Sequence, residues 1–392
     1  MNEIILVLSG LTVLAYLFNI FSRWTRVPSV VLLLATGILL RLIASQADFL
    51  LQIRNELVGF LGTIGLVIIV LEASLDLHLR RDNLPVIRRA FFSSAVILIG
   101  SSLAVSTLLH FWLEDLWKNC LIYSIPLSII SSAIVIPSTE HLSVSKREFT
   151  VYESSFSDIL GIVFFNFITQ RSEIDLSTPV GFLMEIVGVF IAGLVASLFI
   201  IWLGGKINEG VRHFFLLSLL VLLYALGKAA HLPALIIVLV FGLMLNNFER
   251  LIVPRLLPSL NGKGISSLVG QFKMVTSESS FILRTFFFVF FGFSIELSGL
   301  LNPVAIGASL VIVAVLLIVR YAYLRWAFKG NIFPEIFLMP RGLITILLFL
   351  SIPSQYSIGS FDQSIVFLVV LTSTVLMAIA LMLTREELSN AL

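Results

Sequence analysis

The residues best suited to chemistry lie in one short segment, Tyr152-Glu153-Ser154-Ser155-Phe156-Ser157-Asp158-Ile159-Leu160-Gly161. On a helix, at about 100° per residue, carboxylates five positions apart are separated by about 140°, so Glu153 and Asp158 point different ways. An apolar stretch from Ile159 to Phe165 follows Asp158 and places it deeper than Glu153. Ser154, Ser155 and Ser157 supply hydroxyls around it. A carboxylate withdrawn from water binds a proton, because desolvation favours its neutral form. With hydroxyl and carbonyl oxygens beside it, it also suits a hard cation, so the two ligands would compete for one site. Glu153 reads instead as one half of a structural ion pair with an arginine.

Two further segments bring polar or helix-breaking residues into apolar sequence. One contains Pro126, Ser131, Ser132 and Pro137; the other contains Pro340, Arg341 and Gly342 and is closed by Pro353. Arg284 and Arg320 also interrupt apolar runs. Charge within a membrane span is costly and is usually paired or functional.

These residues must be positioned by membrane helices. The chain has 392 residues, of which 58% are apolar and only 12% charged, and its mean hydropathy is +1.07. A soluble globular domain is excluded, since such domains carry about 25% charged residues. A net charge of +2 gives no basis for binding nucleic acid. The single cysteine, Cys120, has no partner for a disulfide or redox motif, and the five histidines form no HExxH. No cofactor, metal cluster or enzymatic nucleophile is expected. The first apolar run lacks a basic leader and a cleavage site and reads as a retained helix.

A span needs about 20 mostly apolar residues. Thirteen candidates follow: 4–21, 27–43, 57–75, 87–111, 119–137, 151–168, 179–205, 211–227, 232–246, 274–294, 303–327, 332–352 and 361–384. With the N-terminus outside, most lysines and arginines fall in cytoplasmic connections, including Arg80, Arg81, Arg88, Arg89, Lys146, Arg147, Arg325 and Lys329. Only Arg41, Arg54, Lys118, Arg171 and Lys228 remain in external segments. The long connection from Asn247 to about Gln271, with Pro254, Pro258, Gly262 and Gly264, is expected to be a linker or surface helix. The interrupted fifth and twelfth spans stand seven apart. That is the offset of a repeat relating residues 1–168 to 211–384 through a linker helix at 179–205. Interrupted helices at matching places in two repeats point to a transporter's binding site.

The chain resembles the monovalent cation/proton antiporters. Glu153-Ser154-Ser155-Phe156-Ser157-Asp158 resembles their "GESLLND" segment, and Pro340-Arg341-Gly342-Leu343-Ile344-Thr345 their "LRGAVS" segment. Val27-Pro28-Ser29-Val30-Val31 through Leu40 is similar to "LPxVVGYLLAGILLG", and Leu71-Glu72-Ala73-Ser74-Leu75-Asp76-Leu77 to "LFEGGLEL". The likeness covers almost the whole chain, in order.

The resemblance implies an all-α polytopic fold of about thirteen helices, an inverted repeat with two crossed, discontinuous helices (the fifth and twelfth), and a homodimer. It implies that Asp158 binds the proton or alkali cation, that Glu153 pairs with a membrane arginine, either Arg341 or Arg284, and that Glu72 is linked to that network. Ser131, Ser132, Ser155 and Ser157 are the expected further ligands. Where many relatives have "TDP" this chain has Ser131-Ser132-Ala133, which leaves Na+, K+ and Li+ all open as substrates. Where relatives that move two protons per ion carry a second acid it has Ser157, which favours electroneutral exchange. The relatives' cytosolic nucleotide-binding domain is not expected here. A bacterial inner membrane and a role in pH homeostasis or potassium transport are the expected setting. The rival readings are a sodium-coupled organic anion carrier with Arg284 as anion anchor, a channel, or a non-transporting sensor; nothing resembles a channel's selectivity filter.

Overall fold

The break-forming residues decide where the helices stop. In the computed structural model, residues 9–18, 20, 29–46, 55–77, 83–139, 142–170, 178–204, 212–230, 232, 234–247, 262–294, 299, 301–328 and 330–390 are described. They form α1 (Ser9–Phe18), α2 (Ser29–Gln46), α3 (Asn55–Asp76), α4 (Leu84–Leu113), α5 (Trp117–Ser128), α6 (Ser132–Ser138), α7 (Val144–Gln170) and α8 (Thr178–Gly204). The second half gives α9 (Arg212–Ala229), α10 (Leu235–Asn246), α11 (Gly262–Ser294), α12 (Pro303–Ala327), α13 (Leu343–Leu350) and α14 (Ser364–Asn390). No strand occurs among the described residues.

Among those residues, six helical stretches are long and apolar enough to cross a membrane: Leu84–Leu113, Trp117–Ser138, Val144–Thr169, Val269–Ser294, Pro303–Ala327 and Ser364–Thr384. Five apolar helices are shorter. Among the expected boundaries that change, the span at 151–168 belongs to a helix that already begins at Val144. The span at 274–294 belongs to a helix that already begins at Gly262. The span at 332–352 keeps only the eight residues of α13 as α-helix, with short 3-10 turns at Glu335–Phe337 and Ser354–Tyr356. Pro334, Pro340 and Pro353 each remove a backbone donor there, so a continuous helix cannot form. Val27-Pro28 and the Pro254/Pro258 stretch lie outside the described residues.

The chain divides into two compact units, with boundaries inside α3, α7 and α11 and one residue into α4. The first comprises Met1–Val58, Pro85–Gly161 and Ile282–Leu392. Here α12, capped by Asn302 Oδ1 on the Val304 amide with Pro303 in its first turn, packs on α14, and α13 packs on α5. Helices α2 and α11 approach through glycine: a Cβ at Gly37 would run into the Val289 carbonyl oxygen, and one at Gly292 into that of Leu34. Helix α4 turns a row of buried serines inward, Ser93, Ser94, Ser101, Ser102 and Ser106.

The second unit comprises Gly59–Leu84 and Ile162–Phe281. Its α8 packs on α10, with Gly193 against Ile237 and Val240, and on α9. Asn246 and Asn247 donate to the Leu77 carbonyl just past the end of α3.

Candidate functional site

Helix α5 ends because Pro126 sits in its last turn and Ile129 turns extended, with φ −73° and ψ 131°. Ser131, also extended, opens α6. The three-residue gap frees backbone groups in a buried place, and each donor must find an acceptor. Ile130 N–H donates to Ser157 Oγ at 2.9 Å, and Ser131 N–H to the Pro340 carbonyl at 2.9 Å. Ser132 donates twice to Asp158 Oδ2, from its N–H at 3.0 Å and from its hydroxyl at 2.5 Å. Asp158 on α7 is therefore tied by one oxygen to the opening turn of α6.

Its other oxygen, Oδ1, is buried and has no hydrogen-bond partner among the described residues. The same holds for Ser155 Oγ and Thr345 Oγ1. Ser155 stands one turn before Asp158 on the same face of α7. Thr345 belongs to α13, whose preceding backbone is hydrogen-bonded to Ser131. Buried oxygens left without a partner are rare in folded proteins and mark ligand or strain sites. Thr345 closes the Pro340–Thr345 segment but carries no charge, so its residue type alone does not mark it as a ligand.

Arg341 is also buried, 1% exposed. Its Nε donates to the Leu127 carbonyl at 2.6 Å and its Nη1 to the Met339 carbonyl at 2.5 Å, while its backbone N–H is held by Ser373 Oγ at 3.0 Å. Leu127 is in the last turn of α5, where carbonyls lack helical partners and a cation is favoured. Arg341 thus satisfies the backbone that the two breaks release.

The expected pairing of Glu153 with Arg341 or Arg284 is corrected. Arg320 of α12 holds Glu153 Oε2 at 2.7 Å, and Ser93 of α4 donates to Oε1 at 2.5 Å. Arg320 and Glu153 are both fully buried. Arg320 Nε reaches the Glu335 carbonyl at 2.9 Å, and the Glu335 carboxylate pairs with Lys146 at 2.9 Å. Arg320 was visible as a charge within a span, but only packing selects it, because it comes from a helix with no recognisable motif. Arg284 lies half-buried on α11. Within the second unit, Ser280 and Ser277 of α11 donate to the Glu72 carboxylate at 2.5 and 3.3 Å. Lys273 pairs with Asp76 in that unit at 2.7 Å.

The junction of the two breaks depends on Gly342. A Cβ there would fall on the Oγ of Ser131 and within 2.7 Å of its Cβ. Gly342→Ala is expected to cost about 1–3 kcal/mol by overpacking, read as a lower unfolding midpoint. Adding Ser131→Gly removes the obstructing atoms and should recover most of the loss. A Gly342→Ala protein as stable as wild type would show that this contact is not tight.

The profile described as "Sodium/hydrogen exchanger, transmembrane" matches residues 9–384. No protein of curated function matches the sequence. Among solved structures, the chain is similar to the sodium proton antiporter MjNhaP1 from Methanocaldococcus jannaschii at pH 8, with a TM-score of 0.72 and 18% identity over 96% of this chain and 97% of that one. A three-dimensional electron microscopy map of the same antiporter gives a TM-score of 0.62 and 18% identity over 97% and 94%. At that identity the likeness carries the fold, while the profile spans nearly the whole sequence: the chain belongs to the sodium/hydrogen exchanger family of transmembrane proteins.

Proposed function

We propose that the protein exchanges protons for a monovalent alkali cation by alternating access, with Asp158 binding one or the other. The observation that carries this reading is the half-satisfied carboxylate: Oδ2 is held by Ser132, whereas Oδ1 is buried and unpartnered. In the proton-loaded state Oδ1 carries the proton. In the cation-loaded state Oδ1 is a ligand, with the Ser155 and Thr345 hydroxyls and the extended backbone at Ser131 as further oxygens. Ser132 positions the carboxylate and Ser157 holds the break open through Ile130, so both support the site from behind. Arg341 supplies fixed positive charge near the junction without releasing a proton, since a guanidinium stays protonated at physiological pH.

The two broken segments act as the crossed discontinuous helices of an inverted repeat, and two copies of the chain assemble as a homodimer. The N-terminus lies outside and the C-terminus in the cytoplasm of a bacterial inner membrane, as the lysine and arginine distribution favours. Sodium is the first candidate substrate, followed by lithium and potassium. In the cell such exchange serves pH homeostasis.

Proteoliposomes loaded with a pH dye test the reading. Adding sodium, lithium or potassium outside should drive protons out, with no organic solute present. The cation concentration for half-maximal rate should rise as pH falls, because proton and cation compete for one carboxylate. One proton for one cation should leave the rate unchanged when potassium and valinomycin impose a membrane potential on sodium exchange. A rate that climbs steeply with potential would refute the one-to-one stoichiometry, and no pH response to any alkali ion would refute exchange itself.

A further inference from the structure

Away from Asp158, a cavity of about 440 Å³ opens between the start of α4 and the end of α12. It is lined by Arg88, Arg89, Phe92, Tyr323, Ala327 and Phe328. Arg88 and Arg89 are exposed, and neither guanidinium has a carboxylate within ion-pair distance among the described residues. The nearby carboxylate Glu153 is already taken by Arg320 and Ser93. The cavity therefore carries two positive charges with no counterion among the described residues.

Its walls are fixed. Phe328 stacks edge-on against Phe149, with ring centroids 5.1 Å apart, and Phe92 packs against Phe91 at 5.8 Å. Tyr323 stands one turn after Arg320 on α12, and Arg320 is anchored to the buried Glu153. An anion entering here would meet two guanidinium groups and a phenol held in place by the fold.

The surroundings say which kind of anion. Both α4 and α12 are long and apolar enough to span a membrane, and the cavity sits at their ends. Trp326, 81% exposed, stands next to the lining Ala327 at the end of α12 and is a side-chain type that settles at the membrane–water boundary. From the cavity an exposed apolar stripe runs along one side of α4 through Phe92, Val96, Ile99 and Leu103. At about 1.5 Å per residue the stripe is roughly 16 Å long, about the hydrocarbon depth of one leaflet. Because α4 is a membrane span, its exposed apolar face meets acyl chains, and the cavity at its end is within reach of a lipid headgroup. A lipid uses both, its headgroup in the cavity and an acyl chain on the stripe. Basic pockets between membrane helices are suited to anionic lipid headgroups.

We propose that the cavity at Arg88, Arg89 and Tyr323 is a binding site for the phosphate headgroup of an anionic glycerophospholipid, whose acyl chain lies along α4.

The test is thermal unfolding of the full chain in detergent, titrated with dioctanoyl phosphatidylglycerol, dioctanoyl phosphatidylcholine or glycerol 3-phosphate. Phosphatidylglycerol should raise the midpoint saturably, and the other two should not at equal concentration. Each arginine contributes about a fivefold factor in affinity, so Arg88→Gln with Arg89→Gln should weaken the effect roughly twenty-five-fold. Arg88→Lys with Arg89→Lys keeps the charge and should restore most of it. Equal stabilisation by glycerol 3-phosphate would overturn the lipid assignment. A response that survives the double Gln variant, or no response in wild type, would overturn the site. The readout needs no ion exchange and applies equally to an Asp158→Asn protein, so its failure is distinct from failure of the exchange reading.

Discussion

Asp158→Asn is expected to reduce alkali-driven proton movement to the level of empty vesicles while the protein still folds and inserts. The substitution keeps the shape of the side chain and an oxygen able to accept both hydrogen bonds from Ser132. What it removes is the ionisable proton and the full negative charge. A hydrogen bond to a neutral acceptor contributes about 1 kcal/mol less than one to a charged acceptor. Against this, a buried charge no longer has to be desolvated, so thermal stability should be unchanged or raised. Transport has no such compensation, because an amide neither binds a proton in the usable range nor neutralises a cation. A pH dye in vesicles, with matched protein content and an unfolding curve on the same preparation, separates the two effects. Exchange near the wild-type rate in a folded Asp158→Asn protein would remove Asp158 from the mechanism. A milder companion, Ser155→Ala, should raise the cation concentration needed for half-maximal exchange and leave folding intact, since Ser155 Oγ bonds nothing in the resting protein among the described residues.

Both interruptions were legible in the sequence because proline, glycine and arginine inside apolar runs have few structural excuses. Pro126 with Ser131-Ser132, and Pro340-Arg341-Gly342, stand where α5 gives way to α6 and where α13 begins. Asp158 was legible for a related reason, since a carboxylate leading an apolar stretch has few places to go but inward. The partner of Glu153 was not legible. Three arginines lay within apolar runs, and the choice among them depends on which helix packs beside α7, a property of tertiary arrangement with no local signal. The motif around Arg341 drew attention to the wrong one. Arg341 has another task that the breaks themselves imply: a helix that stops in the membrane releases carbonyls, and a buried guanidinium is a compact set of donors for them. Glu72 has the same lesson in the second unit, where the hydroxyls of Ser277 and Ser280, some 200 positions away, hold its carboxylate.

Breaking the buried pair from either side should be among the most destabilising changes available in this chain. Glu153 and Arg320 are 0% exposed and 2.7 Å apart; Ser93 donates to the other carboxylate oxygen and Arg320 Nε donates to the Glu335 carbonyl, while Arg320 Nη1 has no hydrogen-bond partner among the described residues. Removing one partner of such a pair strands the other charge without water, at a cost of about 3–5 kcal/mol. Glu153→Gln leaves Arg320 uncompensated, and Arg320→Met leaves Glu153 so. Carrying both together removes both charges, so the double variant should be more stable than either single one, with a coupling energy of about 2 kcal/mol or more. Some deficit remains, because the methionine gives no donor to the Glu335 carbonyl. Unfolding in mixed micelles, run as a double-mutant cycle, measures each term. Transport gives an independent reading: the pair ties α7 to α12 but offers no free oxygen to an ion, so the double variant should retain measurable exchange where Asp158→Asn retains none. Additive single-variant costs would mean that the two side chains do not depend on each other. A double variant that is stable yet inactive would move Glu153 from the framework of α7 into the exchange chemistry itself.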